Sequence, residues 1–214
     1  MDKIESINAV CTEFYKPFLK KIFLPSIKDN PVSLNIYDSG IYGDYFRQEF
    51  KSNIYFKLEK MLDFTSKNKP NKIVIWTDVD LAFIKPVSFI LNDLLEHIKE
   101  NDMAISPEIS NGTKFNTGFI AMRCSVENFH FIKSVLEQIK KENKTEQWVM
   151  NDMAHQSQLK IKVLPINYWN ITVSKPTDPY LVHINYIENP QERINIIEQK
   201  LYVWKHIKAR FIKM

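Results

Sequence analysis

The sequence predicts an α/β domain with a mostly parallel central sheet flanked by helices and a C-terminal helical tail. Three observations predict it. Ile73-Val-Ile-Trp76 is a continuous apolar run, which suits a central strand covered on both faces. Strand-like segments alternate with helical periodicity along most of the chain. The 214 residues, 44% hydrophobic and 25% charged, can bury a core without disulfides or a structural metal.

The elements follow in order. The apolar stretch Ile7 to Cys11, within Ile4 to Cys11, reads as a first buried strand. Phe14, Phe18 and Ile22 fall near helical spacing, so Tyr15 to Ile27 reads as a helix with Pro17 in its first turn. Ser33 to Tyr37 alternates and runs into Asp38-Ser-Gly40, a strand entering a loop. The segment Tyr37 to Tyr45 holds two of the chain's four glycines and reads as a strand-to-helix turn, with a mobile loop near a ligand as the alternative. Phe46, Phe50, Ile54, Leu58, Met61 and Leu62 mark a helix over Asp44 to Phe64. After Ile73 to Trp76, Val87 to Lys99 is helical, and Asp102 to Ser106 and Thr117 to Met122 are strands. Ser125 to Lys141 and Thr145 to His155 are helices, each opened by a residue suited to an N-cap. Ile161 to Leu164 and Leu181 to Ile184 are short strands, and the chain is helical from Pro190. Trp76 and Trp148 read as core, and Trp169 as a candidate lining of an acceptor groove.

Composition excludes several classes. The four glycines, Gly40, Gly43, Gly112 and Gly118, spell neither a P-loop nor a G-x-G-x-x-G fingerprint. Cys11 and Cys124 make neither a C-x-x-C zinc site nor a disulfide framework, and read as reduced, buried thiols. The 29 Lys and Arg exceed the 25 Asp and Glu, a formal net charge of +4. Lys200, Lys205, Lys208, Arg210 and Lys213 account for that excess, so the body is near neutral and a nucleic-acid partner is not expected. The N-terminus carries no apolar leader and no run is long enough to span a membrane, which points to a cytoplasmic protein. Glycosylation patterns at Asn111, Asn143 and Asn170 then read as chance in an Asn-rich chain.

The strongest chemical feature is Asp78-Val79-Asp80, two carboxylates at the end of an apolar strand. In open α/β sheets ligands bind beyond the carboxyl ends of strands. Hard divalent cations take oxygen ligands there and share them with substrate phosphates. An isolated D-x-D is more often just a pair of loop acids, so its neighbours decide. Downstream stand Phe115-Asn-Thr-Gly-Phe119, then Glu146-Gln147 opening a helix, then Val182-His-Ile-Asn-Tyr186.

That order resembles the nucleotide-diphospho-sugar transferases of the glycosyltransferase-A fold, over about Ile4 to Arg193. The resemblance implies a single Rossmann-like domain over 1–193 and a basic amphipathic tail over 194–214. It implies that Asp78, Asp80 and His183 hold Mn²⁺ or Mg²⁺ against the donor diphosphate, with Asp80 the more direct ligand. Thr12 and Tyr15 would lie beside the nucleotide, and Asn116 and Gln147 would face the donor sugar or the acceptor. Arg193 stands where the family often has a diphosphate-contacting lysine, but a glycine expected before it is absent, which puts that role in doubt. The family's usual Asp-Gln pair is Glu146-Gln147 here.

Each residue also has a plainer reading. A lone His in an apolar segment is usually a hydrogen-bonded core residue, and Asp78 and Asp80 upstream tilt His183 toward a ligand. Thr12 reads as an N-cap, Tyr15 as core, Asn116 as a turn residue before Gly118, Gln147 as a first-turn residue, and Arg193 as a solvated helix residue. An inverting route needs a carboxylate base; Glu108, Glu146 and Asp152 are candidates, and the resemblance leans toward retention.

The expected activity is metal-dependent transfer of a sugar from a UDP- or GDP-linked donor to a hydroxyl on a glycan, lipid or protein. The alternatives are a nucleotidyltransferase, which would not need His183, and a non-catalytic basic binding module. In the tail Ile197, Leu201, Trp204, Ile207 and Phe211 share a face ringed by Lys200, Lys205, Lys208 and Lys213. Such a helix either docks on the sheet with its lysines solvated or lies peripherally on an anionic membrane.

Overall fold

The computed structural model describes residues 2–41, 49–68, 70–108, 114–142, 144–171, 175–184 and 196–211. Among the described residues nine strands form two sheets. The larger has the order β2 (Ser33–Asp38), β1 (Ile4–Cys11), β3 (Ile73–Asp78), β6 (Phe115–Arg123), β5 (Met103–Pro107), β7 (Ile161–Val163). Its β1–β2, β1–β3 and β5–β7 pairs are parallel, whereas β6 runs antiparallel to both neighbours. The sheet is therefore mixed, with parallel pairs in the majority.

Alternation on the central strands explains the two cores. Ile73 and Ile75 of β3, with Phe119 and Ala121 of β6, pack into one apolar cluster with α4 (Val87–Ile98). Val74, Trp76, Ile120 and Met122 point the other way, against α3 (Glu49–Lys67) and α5 (Val126–Glu142). A strand apolar on both faces can only be stable between two helical layers. The first helical stretch is shorter than its periodicity suggests and is interrupted. It consists of α1 (Lys16–Phe18), a π-helical turn (Leu19–Phe23) and α2 (Leu24–Ser26).

The second sheet joins β4 (Leu81–Phe83), β9 (Leu181–His183) and β8 (Tyr168–Asn170) in that order. Neither β4 nor β8 is anticipated by the sequence reading, because three residues are too few for a period to register. Beneath this sheet lies a third apolar cluster of Phe18, Ile22, Ala82, Trp169, Val182, Ile184 and Ile207. The last helix, α7 (Ile196–Phe211), closes over it with Leu201, Val203, Trp204 and Phe211.

Asp78 is the last residue of β3, at the strand end where the sequence places it. Several other expectations change. Trp148, expected in the core, is 40% exposed, while Trp169, expected to line a groove, is buried in β8, edge-on to Phe211. Ser125 caps α5 by accepting the N–H of Asn128 at 3.1 Å, but Thr145 makes no side-chain cap for α6 (Glu146–Ala154). Cys11 and Cys124 are free and buried, and burial pushes their thiols up to about 12 and about 11. Asn170 is fully buried, so it cannot accept a glycan; Asn111 and Asn143 lie outside the described residues. Residues 42–45 of the Tyr37–Tyr45 segment, residues 44–48 of the expected Asp44 helix, and residues 190–195 of the expected tail helix are also outside them.

Candidate active site

The site forms where the two sheets meet. The chain leaves β3 at Asp78, turns through Val79 and Asp80, and enters β4, so one acid ends an inner strand of the large sheet and the other stands just ahead of the small sheet. On one side the register sets Val10 of β1 beside Asp78. On the other, Leu81 pairs with His183, and the N–H of Ile184 donates to the carbonyl of Asp80 at 2.9 Å. Backbone pairing alone thus brings His183, more than a hundred residues downstream, back to the acids.

His183 Nε2 lies 3.1 Å from Asp80 Oδ1 and 3.8 Å from Asp78 Oδ2. Ligand atoms of Asp78, Asp80 and His183 all lie within 4.8 Å of one another. Octahedral bonds of about 2.1 Å would set neighbouring ligands about 3 Å apart, so the three fit a divalent cation after small adjustments. Gly118 makes the approach possible: a Cβ there would fall 2.0 Å from His183 Cε1. The buried His183 Nδ1 has no hydrogen-bond partner among the described residues. The imidazole is therefore held by packing and by its acid-facing side.

Two buried lysines complete the electrostatics, and the sequence reading missed both. Lys57 of α3 donates to Asp78 Oδ1 at 2.7 Å and to the Thr117 carbonyl at 3.0 Å, and stands 3.8 Å from Glu146. Lys200 of α7 reaches Asp80 Oδ2, with its ammonium 5.0 Å from the centroid of the Tyr15 ring. It was expected among solvated tail lysines, yet its side chain is 2% exposed. Burial works against both ammonium charges, but the neighbouring acids hold both above the ordinary lysine value. Burial likewise opposes ionisation of Asp80, and Lys200 and His183 overcome it, so its carboxyl lies well below the usual range. Glu146 goes the other way: burial raises it, Lys57 pulls it down and Asp78 pushes it up.

A polar network adjoins the acids. Asn116 donates to Gln147 Oε1 at 2.8 Å and to Glu108 Oε2 at 3.3 Å, and its own oxygen accepts the Gly118 N–H at 2.8 Å. Asn170 donates to the same Glu108 oxygen at 2.8 Å, and Thr117 donates to Glu146 at 3.2 Å. Of the three candidate bases, Glu108 and Glu146 are buried in this network, whereas Asp152 is exposed and paired with Lys144 at 3.4 Å.

The other expected residues are placed as follows. Thr12 is buried and its hydroxyl accepts the Tyr15 N–H at 3.3 Å, a capping contact at the start of the first helical stretch. Tyr15 joins the group through Lys200. Arg193 lies outside the described residues.

A family model for nucleotide-diphospho-sugar transferases matches residues 46–196. The chain belongs to that family. The glycosyltransferase GlyE of Streptococcus pneumoniae TIGR4 superposes with a TM-score of 0.62 at 15% identity, over 96% of this chain and 60% of GlyE. The chain thus spans about 60% of GlyE's length. A glycosyltransferase involved in glycosylating the major capsid of PBCV-1 gives 0.59 at 13% identity, over 86% of this chain and 96% of that one. The galactosyltransferase LgtC, solved with donor and acceptor sugar analogues, gives 0.55 at 12% identity, over 98% and 97%. No curated protein sequence matches the chain significantly. These likenesses show the glycosyltransferase-A fold.

Proposed function

We propose that the chain transfers a sugar from a UDP- or GDP-linked donor to a hydroxyl of a glycan, lipid or protein acceptor, with a divalent cation, Mn²⁺ or Mg²⁺, in the donor site. The convergence of Asp78, Asp80 and His183 at the junction of the sheets carries this reading. Those three side chains would hold the ion. When bound, it would act as a Lewis acid on the charge that builds on the leaving diphosphate.

The chain's own groups do the rest. Lys57 fixes Asp78 and offsets the charge of Glu146. Gly118 leaves room for the His183 ring. Glu108 and Gln147 hold the Asn116 amide in one orientation, which suits a residue that must meet a sugar hydroxyl repeatedly in one geometry. Thr12 and Tyr15 border the nucleotide side of the site, and Arg193 would add positive charge at the diphosphate. The family match and the place of His183 favour this reading over a nucleotidyltransferase.

No described helix is long and apolar enough to cross a membrane. The apolar side of α7 is packed on the body, so any peripheral membrane contact would use its outward residues, such as Lys205, Lys208 and Arg210.

Thermal melting with UDP or GDP, with and without Mn²⁺, tests the proposal. Ligand at about a hundred times its dissociation constant adds roughly 2.7 kcal/mol, several degrees for a chain of this size. A Mn²⁺-dependent rise with one nucleotide, lost in Asp80→Asn, is expected. No rise with any nucleotide would refute the donor site.

A further inference from the structure

Both oxygens of Asp80 are already engaged. Oδ1 faces His183 Nε2 at 3.1 Å, and Oδ2 carries the Lys200 ammonium. Lys200 therefore neutralises Asp80 from Oδ2, close beside the place where a divalent cation on Oδ1 and His183 would sit. The two cations compete for the one carboxylate: like charges about 4 Å apart repel by several kcal/mol at an effective dielectric of about 20.

The two buried lysines are not equally free to yield. Lys57 lies within a long helix that packs on the sheet, and three acceptors surround its ammonium. Lys200 comes from the first turns of the final helix, and its ammonium is held by Asp80 and Tyr15. Among the described side chains, the apolar anchors of α7 run from Leu201 to Phe211.

We propose that α7 is a strap over the donor site: Lys200 seats an internal cation on Asp80, and a divalent ion gains Asp80 only when Lys200 lets go. The proposal rests on the donor-site reading above and adds regulation to it. The chain would be self-neutralised when empty. Metal entry would be linked to release of the strap, and by linkage anything that clamps α7 down would weaken metal binding by the same factor.

Titration of the full chain with Mn²⁺ alone, followed by the EPR signal of free Mn²⁺, tests this. Removing the competing cation in Lys200→Met should tighten Mn²⁺ binding at least tenfold, whereas Lys200→Arg, which keeps the charge, should stay close to wild type. Equal or weaker Mn²⁺ binding by Lys200→Met overturns the strap and leaves the donor-site reading standing. Absence of Mn²⁺ binding in all three chains, together with no stabilisation by UDP or GDP, overturns both.

Removing one partner of a buried ion pair is costly to folding. Wild type therefore provides an independent readout. Hydrogen exchange of the amides at residues 200–204, which depend on the first turns of α7, should accelerate severalfold on adding Mn²⁺, while exchange nearer Phe211 stays constant. Unchanged rates at 200–204 with Mn²⁺ bound overturn the proposal.

Discussion

Asp78 and Asp80 are two residues apart and live in different surroundings. Asp78 ends a strand of the large sheet, its side chain is 35% exposed, and Lys57 braces it from α3. Asp80 introduces the small sheet, its side chain is 10% exposed, and His183 and Lys200 grip it from elements far along the chain. The pair thus divides its work. One acid is tied to a long, densely packed frame and opens toward solvent. The other is enclosed by contacts that the small sheet and the last helix assemble.

The sharpest way to break this contrast is at Asp80. Asp80→Asn should lower turnover of a UDP- or GDP-sugar about a hundredfold or more, since the ion's contribution is several kcal/mol and each 1.36 kcal/mol is about tenfold. Nucleoside diphosphate release with Mn²⁺ measures it, and near-normal release would defeat the mechanism. Its counterpart, Lys57→Met, should act on folding first. It leaves Asp78 and the buried Glu146 without their ammonium, and denaturant unfolding should show a loss of about 3 kcal/mol. A smaller loss would mean that water reaches Asp78 more freely than its burial implies.

Gly118→Ala probes the seam between the two regions. A Cβ 2.0 Å from His183 Cε1 must push the ring away from the acids. About 1–3 kcal/mol of stability should be lost, as for other overpacked cores. Mn²⁺-dependent stabilisation should weaken as well, and melting curves with and without the ion read both effects.

Acid should also separate the two regions. Asp80 is held below its ordinary 3.8, so the stability it supplies is present above that value and is lost as pH falls through the depressed one. Glu146 is held above its ordinary 4.5, so its contribution weakens as pH rises from there through the raised value. Melting temperature should therefore fall below about pH 4, more steeply in wild type than in Asp80→Asn. Equal slopes would count against Asp80 as the dominant group.

The same division explains what the sequence could and could not foretell. The frame was legible because β1, β3 and β6 are long enough for an apolar run to stand out. Asp78, Asp80, Asn116, Gln147 and His183 were legible as an ordered set of short motifs, and the fold brings them to one place. Lys57 and Lys200 were not, because nothing local marks a lysine as buried: each reads as an ordinary helix charge until an acid from another element meets it. Glu108 was visible as a candidate base, but its grip on Asn116 and Asn170 joins segments up to 62 residues apart. Gly118 stood in a recognised motif, yet the reason for a glycine lies in a histidine on another sheet.

The smallest expected effect concerns Trp148, where local chemistry misled the reading. In α6 the buried residues include Glu146, Val149 and Met150, the i, i+3 and i+4 positions of one face. Trp148 falls two residues after Glu146, on the side of the helix turned away from that face, and 40% of its surface remains in water. A large aromatic residue there adds little to packing. Trp148→Ala should change unfolding free energy by no more than about 0.5 kcal/mol, as a surface substitution does. Trp76→Ala, in the fully buried centre of β3, should cost about 3–5 kcal/mol. If Trp148→Ala, while leaving stability intact, raises the Michaelis constant for an acceptor without lowering kcat, the exposed ring belongs to the acceptor side of the site, and the outward face of α6 extends the region anchored by Gln147.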